Sequence, residues 1–159
     1  MKPLDYNTLE SEVVAILNKN SVCSLATSCD DKVTVRAMGY AADGLKVYFQ
    51  TDISFTKVAQ IRKNPNVAIC AGNLQAEGTA ALKGHPFDKE NENFVRLFKA
   101  KNPSCYKAFT GIKTVIVIEV ELHFAALWKN EGARNLMDFL DRRKHSAYRQ
   151  YYQPERFCA

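Results

Sequence analysis

The hydrophobic positions of the chain change their spacing along the sequence, and these changes mark the predicted elements. Leu9, Val13, Ile16 and Leu17 recur at helical spacing, which predicts an N-terminal helix over residues 5–19. Further along, apolar and polar residues alternate in segments separated by turn-forming residues, a pattern typical of strands. Six strands are predicted in this way, over residues 21–27, 32–40, 45–51, 67–71, 74–83 and 114–128.

Two further segments carry apolar residues at spacings of three and four. They predict helices over residues 54–63 and 88–101, each followed by an Asn-Pro pair that ends it. Gly78, inside a predicted strand, indicates a bulge or a close backbone approach. Because the strands follow one another through turns, the predicted fold is mainly β with flanking helices (α+β), a six-stranded antiparallel barrel of about residues 21–128.

The last predicted strand has two different faces. One face is predicted to be apolar from Ile116 through Trp128, and the other carries Glu119, Glu121 and His123. Such a polar row suits a metal or a proton relay, but one strand supplies few convergent ligands, so a solvated or interface face is favoured and no metal site is predicted. We expect a helical, basic and aromatic tail over residues 131–159. Packing on its own fold is favoured over nucleic-acid binding, which also suits that composition.

Composition narrows the class of protein. The 159 residues match one ordinary domain, and 47% hydrophobic with 25% charged residues excludes a disordered chain. The net charge of +5 is mild for a protein dedicated to nucleic acid. Five scattered cysteines and the absence of a long apolar run favour a cytoplasmic protein with reduced thiols over an exported or membrane-spanning one.

Residues suited to phosphate binding follow the second predicted strand. Arg36 comes from that strand, Thr51 ends the next, and Lys57 lies one turn into the following helix. With free amides and hydroxyls at the helix start, these residues can form a phosphate pocket. Ser54 and Thr56 are equally typical of helix capping, and from these residues alone capping is favoured.

The order and spacing of several short segments resemble the pyridoxamine 5'-phosphate oxidase-like, FMN-binding split-barrel family. The resemblance runs through about residues 20–128, and no segment is specific by itself. The matching segments are Cys23–Thr27, Val35–Tyr40, Val47–Thr51, Lys57–Val58, Asn64–Ala68 and Glu77–Ala80; a branch of small members is similar also at Gly84–Pro86, Ala126–Trp128 and Ala147–Tyr152.

The resemblance implies a split barrel that forms a homodimer, with FMN in a groove at the subunit interface. It also implies ten cofactor-binding residues, with Arg36 and Lys57 at the phosphate: Arg36, Ala37, Met38, Gln50, Thr51, Thr56, Lys57, Asn73, Gln75 and Trp128. Phe55 and Thr56 stand where many relatives have a serine or glycine followed by a basic residue. One phosphate contact fewer, and a weaker affinity for FMN, are therefore expected.

The implied activity is that of a flavin-dependent oxidoreductase, with a reduced nicotinamide as electron donor and a small molecule as acceptor. No catalytic residue is assigned. Vitamin B6 oxidation itself is not expected: the true oxidases are longer and end in an R-x-H element and an R-L-A-P-like terminus, whereas here Arg143–His145 matches R-x-H in isolation and the final residues match nothing comparable. The alternatives are a non-catalytic flavin sensor, or a barrel that binds a deazaflavin or a haem, the latter with His85 or His123 as axial ligand.

Overall fold

The computed structural model describes residues 1–152 and shows ten strands and four α-helices. The helices are α1 (Tyr6–Lys19), α2 (Thr56–Lys63), α3 (Glu92–Lys101, preceded by a 3-10 turn at Lys89–Asn91) and α4 (Pro103–Phe109). The strands are β1 (Lys2–Pro3), β2 (Val22–Cys29), β3 (Lys32–Gly39), β4 (Ala41–Asp43), β5 (Lys46–Asp52), β6 (Asn66–Ala71), β7 (Leu74–Lys83), β8 (Val115–Glu131), β9 (Arg134–Asp141) and β10 (Ser146–Tyr152).

The six predicted strands correspond to β2, β3, β5, β6, β7 and β8, and they pair in the spatial order β3-β2-β6-β7-β8-β5. Every ladder is antiparallel, which confirms the predicted fold class. Within the described residues, β3 pairs with β2 and β5 pairs with β4 and β8, so no ladder joins β3 to β5. The barrel is therefore split between these two strands.

Strand β8 is long enough to serve two neighbours on one side. Its first half pairs with β5 and its second half with β9, while β7 runs along the other side. The β7–β8 register shifts at Gly78, where His123 is the extra residue between Leu122 and Phe124. A Cβ at Gly78 would lie 2.7 Å from the Glu121 carbonyl oxygen, so the predicted close backbone approach and bulge are both present.

The bulge changes which β8 residues face the core. Before it, Val120 and Leu122 are buried as predicted; after it, Ala125 and Leu127 are buried and Trp128 is 41% exposed. The prediction of one apolar face through Trp128 is therefore wrong beyond Leu122, because the extra residue reverses the alternation.

The C-terminal segment is a β-hairpin, and the prediction of a helical tail is wrong for the described residues. Strands β9 and β10 extend the sheet beyond β8, and β1 pairs with β10 at its edge. Leu136, Asp138 and Leu140 point inward in β9. The two-residue period was hidden because one inward position is an aspartate. The remainder of the predicted tail, residues 153–159, lies outside the described residues.

Helix α1 confirms the predicted N-terminal helix, and its buried Leu9, Val13 and Leu17 join the barrel core. Asp5 caps it by accepting a 2.7 Å hydrogen bond from the Thr8 amide. Helix α3 packs Phe94 and Phe98 against Tyr48 and Val117, on the outside of the barrel. No helix among residues 1–152 is both long and apolar enough to cross a bilayer.

Candidate functional site

A cavity of about 430 Å³ lies at the split in the barrel. Strand β3 lines one side with its final residues, strand β5 lines the other, and helices α3 and α4 and the segment after α4 close the far end. The lining residues are Ala37, Met38, Gly39, Gln50, Thr51, Asp52, Phe55, Lys57, Phe98, Cys105, Phe109, Ile112 and Val115. Five of the predicted cofactor-binding residues thus meet in one place: Ala37, Met38, Gln50, Thr51 and Lys57.

The positively charged residue that lines the cavity is Lys57, whose side chain reaches across to β5. Only 8% of this residue is exposed. Its ammonium donates a 3.0 Å hydrogen bond to Thr51 Oγ1 and lies 4.5 Å from the centre of the Phe55 ring. Both partners are neutral, so neither cancels its positive charge.

A second cation, Arg36, stands beside Lys57. Its Nη1 donates to the Leu25 carbonyl oxygen at 3.1 Å and to Thr27 Oγ1 at 2.8 Å, and its Nη2 donates to Thr34 Oγ1. All three acceptors are uncharged. Among residues 1–152, neither Arg36 nor Lys57 forms an ion pair.

Two effects act against the charge on Lys57. Burial, followed by the positive charge of Arg36, lowers the pKa of the Lys57 ammonium below its usual value, and Asp52 opposes this only weakly. Burial likewise lowers the pKa of Arg36. An anion between the two cations would relieve both effects, so the electrostatics of the cavity favour an anionic ligand.

Asp52 also lines the cavity, but its carboxylate is already committed. It accepts hydrogen bonds from the Ser54 amide at 2.8 Å, from Ser54 Oγ at 2.6 Å, and from the Thr114 hydroxyl. These bonds, Ser54 first, lower the pKa of Asp52. Ser54 therefore serves the turn before α2 and does not cap the helix, so the capping interpretation is wrong for these residues. Phe55, the N-cap itself, supplies no side-chain acceptor; the Val58 amide donates to the Phe55 carbonyl oxygen at 2.9 Å, and the Thr56 and Lys57 amides are left for a ligand or water.

Gln50 lies on the cavity wall and is held from the α4 side. Its Oε1 accepts a 2.7 Å hydrogen bond from Thr110, and its Nε2 faces the Cys105 carbonyl oxygen at 3.4 Å. Helix α4 was not predicted from the sequence, and neither were the residues that it brings to the cavity. The signal was present: Pro103 is typical of a first helical turn, but it was interpreted only as the end of α3.

Five predicted cofactor residues do not line this cavity in a single chain: Arg36, which stands beside Lys57, and the four residues Thr56, Asn73, Gln75 and Trp128. Thr56 adjoins Lys57, but one residue is about 100° of rotation around a helix, so Thr56 lines a separate groove beside Gln60 and Lys63. Gln75 lies on the outer face of the sheet with Val35 and Phe124. Trp128 follows on the same face of β8, and its carbonyl oxygen accepts a 2.9 Å hydrogen bond from Asn73 Nδ2.

The two histidines considered as haem ligands are not available in the cavity. His85 Nδ1 accepts from the Phe87 amide at 3.2 Å, so the proton lies on Nε2, which donates to the Ile112 carbonyl oxygen at 3.1 Å. Both ring nitrogens are therefore engaged. His123 lines grooves on another side of the barrel, next to Arg143.

Comparison with protein families gives one match that covers most of the chain. The family model described as pyridoxamine 5'-phosphate oxidase matches residues 9–128. The match therefore begins in α1, takes in the complete split barrel and ends near the end of β8. No curated protein matches the chain.

Several solved structures share the fold. General stress protein 26 from Bacillus anthracis is 19% identical with a TM-score of 0.65, and the alignment covers 84% of this chain and 98% of that one. A pyridoxamine 5'-phosphate oxidase-related, FMN-binding protein from Nostoc punctiforme is 11% identical, with a TM-score of 0.58 and coverages of 91% and 96%. The heme storage protein HutZ from Vibrio cholerae is 11% identical, with a TM-score of 0.60 and coverages of 78% and 92%. At such identities the likeness shows the fold alone.

Proposed function

Because the chain belongs to the pyridoxamine 5'-phosphate oxidase family, we propose that the cavity at the barrel split binds FMN, with the phosphate between Arg36 and Lys57. The observation that carries this proposal is the pair of neighbouring cations, one of them buried, whose hydrogen-bond partners are all neutral. Buried charges in proteins are ordinarily paired. A dianionic phosphate supplies the missing counter-charge and the acceptor oxygens that both cations can use.

The rest of the cavity suits a flat, partly polar ring system. Met38, Phe98 and Phe109 offer apolar surface, and Gln50 offers an amide whose position is fixed by Thr110. Because β3 is an edge of the split, its backbone groups on the β5 side are not used in a ladder within the described residues. They are therefore free to bind the polar edge of an isoalloxazine ring.

We propose further that two copies of the chain form a homodimer through the outer face of the sheet. Val33 and Val35 on this face are 70% and 66% exposed, and Gln75 and Phe124 lie near them. Exposed apolar side chains on neighbouring strands favour burial against a partner. In such a dimer, Asn73, Gln75 and Trp128 would approach the cavity of the other subunit rather than their own.

The activity that this site supports is flavin-dependent oxidation and reduction of a small molecule. Bound FMN supplies hydride and electron transfer, and the chain supplies the phosphate grip, the orientation of the ring by Gln50 and the β3 backbone, and a partly dry pocket. For the electron donor we propose a reduced nicotinamide. Anaerobic mixing of the flavin-loaded protein with NADH or NADPH should bleach the flavin absorbance near its visible maximum; a spectrum that does not change with either donor would instead support a flavin-binding sensor.

The binding proposal is tested by titrating the apoprotein with FMN and with riboflavin, which lacks the phosphate. Lys57→Ala and Arg36→Ala should each weaken FMN binding by about 1.5–3 kcal/mol, the usual contribution of a hydrogen bond between charged groups. Riboflavin, with no phosphate to lose, should bind all forms about equally.

The matched control is Lys63→Ala, because Lys63 lies on the same helix and pairs with Asp30 at 3.1 Å, away from the cavity. It removes one positive charge from α2 without touching the site, so FMN binding should stay as in the wild type. Unchanged FMN affinity in both cavity variants would disprove the phosphate assignment. A colourless protein that binds neither flavin would disprove the proposed function altogether.

A further inference from the structure

Gln60 forms hydrogen bonds with the two threonine side chains that accept hydrogen bonds from Arg36. It lies on α2, is 5% exposed, and does not line the cavity. Its Oε1 accepts hydrogen bonds from Thr27 Oγ1 at 2.6 Å and from Thr34 Oγ1 at 2.7 Å. Those same two hydroxyl oxygens accept from the Arg36 guanidinium.

The hydrogen positions in this group follow from the chemistry of the amide. Gln60 Nε2 donates to the Lys32 carbonyl oxygen at 3.3 Å, which fixes the amide so that Oε1 faces the threonines. An amide oxygen carries no hydrogen, so both hydroxyl hydrogens must point toward it. The lone pairs of Thr27 and Thr34 are then left to face Arg36, which can only donate.

The arrangement leaves part of Arg36 unused. The three hydrogen bonds to Leu25, Thr27 and Thr34 take three of its five N–H donors. Within the described residues the other two donors are not bonded, and they belong to the cation that stands beside Lys57. The guanidinium is thus held on one side and available on the other.

We propose that Gln60 is a positioning residue for the anion site: by ordering the hydroxyls of Thr27 and Thr34, it fixes the Arg36 guanidinium beside Lys57 in the orientation that receives a phosphate. That the phosphate belongs to FMN rests on the proposed function above. The fixed guanidinium itself does not depend on any ligand. The two statements can therefore be tested separately.

The first test uses the apoprotein. In ¹⁵N-edited NMR, a guanidinium held by three hydrogen bonds should show slow N–H exchange and separate Nη signals, assigned to Arg36 through their loss in Arg36→Lys. Gln60→Met, which keeps the length of the side chain but removes the acceptor, should speed exchange and merge the signals. Gln60→Glu keeps an acceptor for both hydroxyls and should preserve them. Arg36 signals that are identical in wild type and Gln60→Met would overturn the inference.

The second test measures the preference for FMN over riboflavin. Gln60→Met should raise the FMN dissociation constant about tenfold and leave that of riboflavin within about twofold. The control is Asn91→Leu, since Asn91 is another buried amide, bonded to the His85 carbonyl oxygen at 2.9 Å and away from the cavity. It should lower stability without changing the preference.

The outcomes separate the two proposals. Wild-type protein that binds FMN no better than riboflavin contradicts the proposed function, while the NMR comparison still decides the role of Gln60. Wild type that prefers FMN, with the same preference in Gln60→Met, contradicts only the positioning role. If Gln60→Met does not fold, Gln60→Glu decides by NMR: its carboxylate still accepts from both hydroxyls, so the Arg36 signals should stay separate and slow to exchange, and merged, rapidly exchanging signals in Gln60→Glu overturn the inference.

Discussion

Two groups of basic side chains in this molecule have opposite surroundings. At the C-terminal hairpin, Lys129 and Arg149 surround Asp138, which is 1% exposed: Lys129 Nζ lies 2.9 Å from one carboxylate oxygen, and Arg149 Nε lies 2.7 Å from the other. Lys129 also reaches Glu12 on α1 at 2.6 Å. At the barrel split, Arg36 and Lys57 have only hydroxyl and carbonyl partners.

The difference separates charges that are paired within the fold from charges that are suited to the proposed ligand. The Asp138 group is satisfied by its own chain and links α1, β8, β9 and β10. The Arg36–Lys57 pair gains nothing from the folded chain that cancels its charge, and burial works against it. Buried charges without a counter-charge are typical of binding sites, where a protein gives up some stability for function.

The largest expected effect is at the satisfied group. Asp138→Ala removes the carboxylate and leaves two half-buried cations, so we expect the free energy of unfolding to fall by about 3 kcal/mol. This is the low end for such a change, because Lys129 keeps Glu12. Urea unfolding followed by circular dichroism measures it. Asp30→Ala, which removes an exposed ion pair, should change stability by less than about 1 kcal/mol. Equal losses in the two variants would contradict the contrast.

The next prediction concerns acid stability. Burial raises the pKa of Asp138, but the hydrogen bonds and charges of Arg149 and Lys129 outweigh it and lower the pKa overall. Its stabilising contribution is therefore present above the unfolded value near 4 and is lost as the pH falls through the lowered folded value. Asp138→Asn should cost about 2 kcal/mol at pH 7. The difference in unfolding free energy between Asp138→Asn and wild type should shrink as the pH falls below about 4. A difference that stays constant down to about pH 2 would contradict this prediction.

At the cavity, we expect the removal of a charged side chain to stabilise the protein rather than destabilise it. Lys57→Met replaces a charge without a counter-ion by an apolar side chain of similar length, so we expect the apoprotein to gain about 1 kcal/mol. The gain arises because the cost of the buried ammonium disappears. Thermal unfolding of the apoprotein checks it, beside the loss of FMN affinity expected for the same change. A large destabilisation would mean that Lys57 serves the fold.

The smallest expected effect tests the contrast between the two groups of basic side chains with inorganic phosphate in place of a cofactor. Inorganic phosphate should bind between Arg36 and Lys57 and stabilise the apoprotein by about 0.4 kcal/mol when its concentration equals its dissociation constant. The rise in melting temperature, about 1 °C at that concentration, should grow with the logarithm of the phosphate concentration above it and should exceed that in chloride of equal ionic strength. Lys57→Met should abolish it, whereas Asp138→Ala should not. Equal stabilisation of wild type and Lys57→Met would point to a general salt effect.

Local patterns were enough to predict the barrel. All six of its strands, α1 and α2 follow from spacing and turn residues, because each element buries one regular face. The failures come from single positions that break the rule: Asp138 is inward and charged, and the extra residue at His123 reverses a strand that reads as continuous. Neither is visible in the period of the hydrophobic residues.

Only those residues of the candidate site that lie in the segments resembling the family were predicted from the sequence. Ala37, Met38, Gln50, Thr51 and Lys57 do meet in the cavity, since each belongs to a strand end or helix start beside the split. Cys105 and Thr110 were missed because they reach Gln50 through contacts across more than fifty residues of chain. Gln60 was missed because its role lies in hydrogen bonds between separate elements, which residue types alone do not specify.

The extra residue at the β8 bulge also affects how this strand tolerates the loss of a single codon from the gene. Removing His123 in frame would place Leu122 and Phe124 in consecutive positions opposite Gly78 and Glu77, so the ladder with β7 would become unbroken without a change of register. Ala125 and Leu127 would keep their inward positions, because Leu122 and Ala125 would then be two residues apart, as the alternation of a strand requires. A one-codon deletion there should therefore harm the protein less than the same deletion at a position of β8 where the ladder is already regular, because that deletion would reverse the side chains on one side of it.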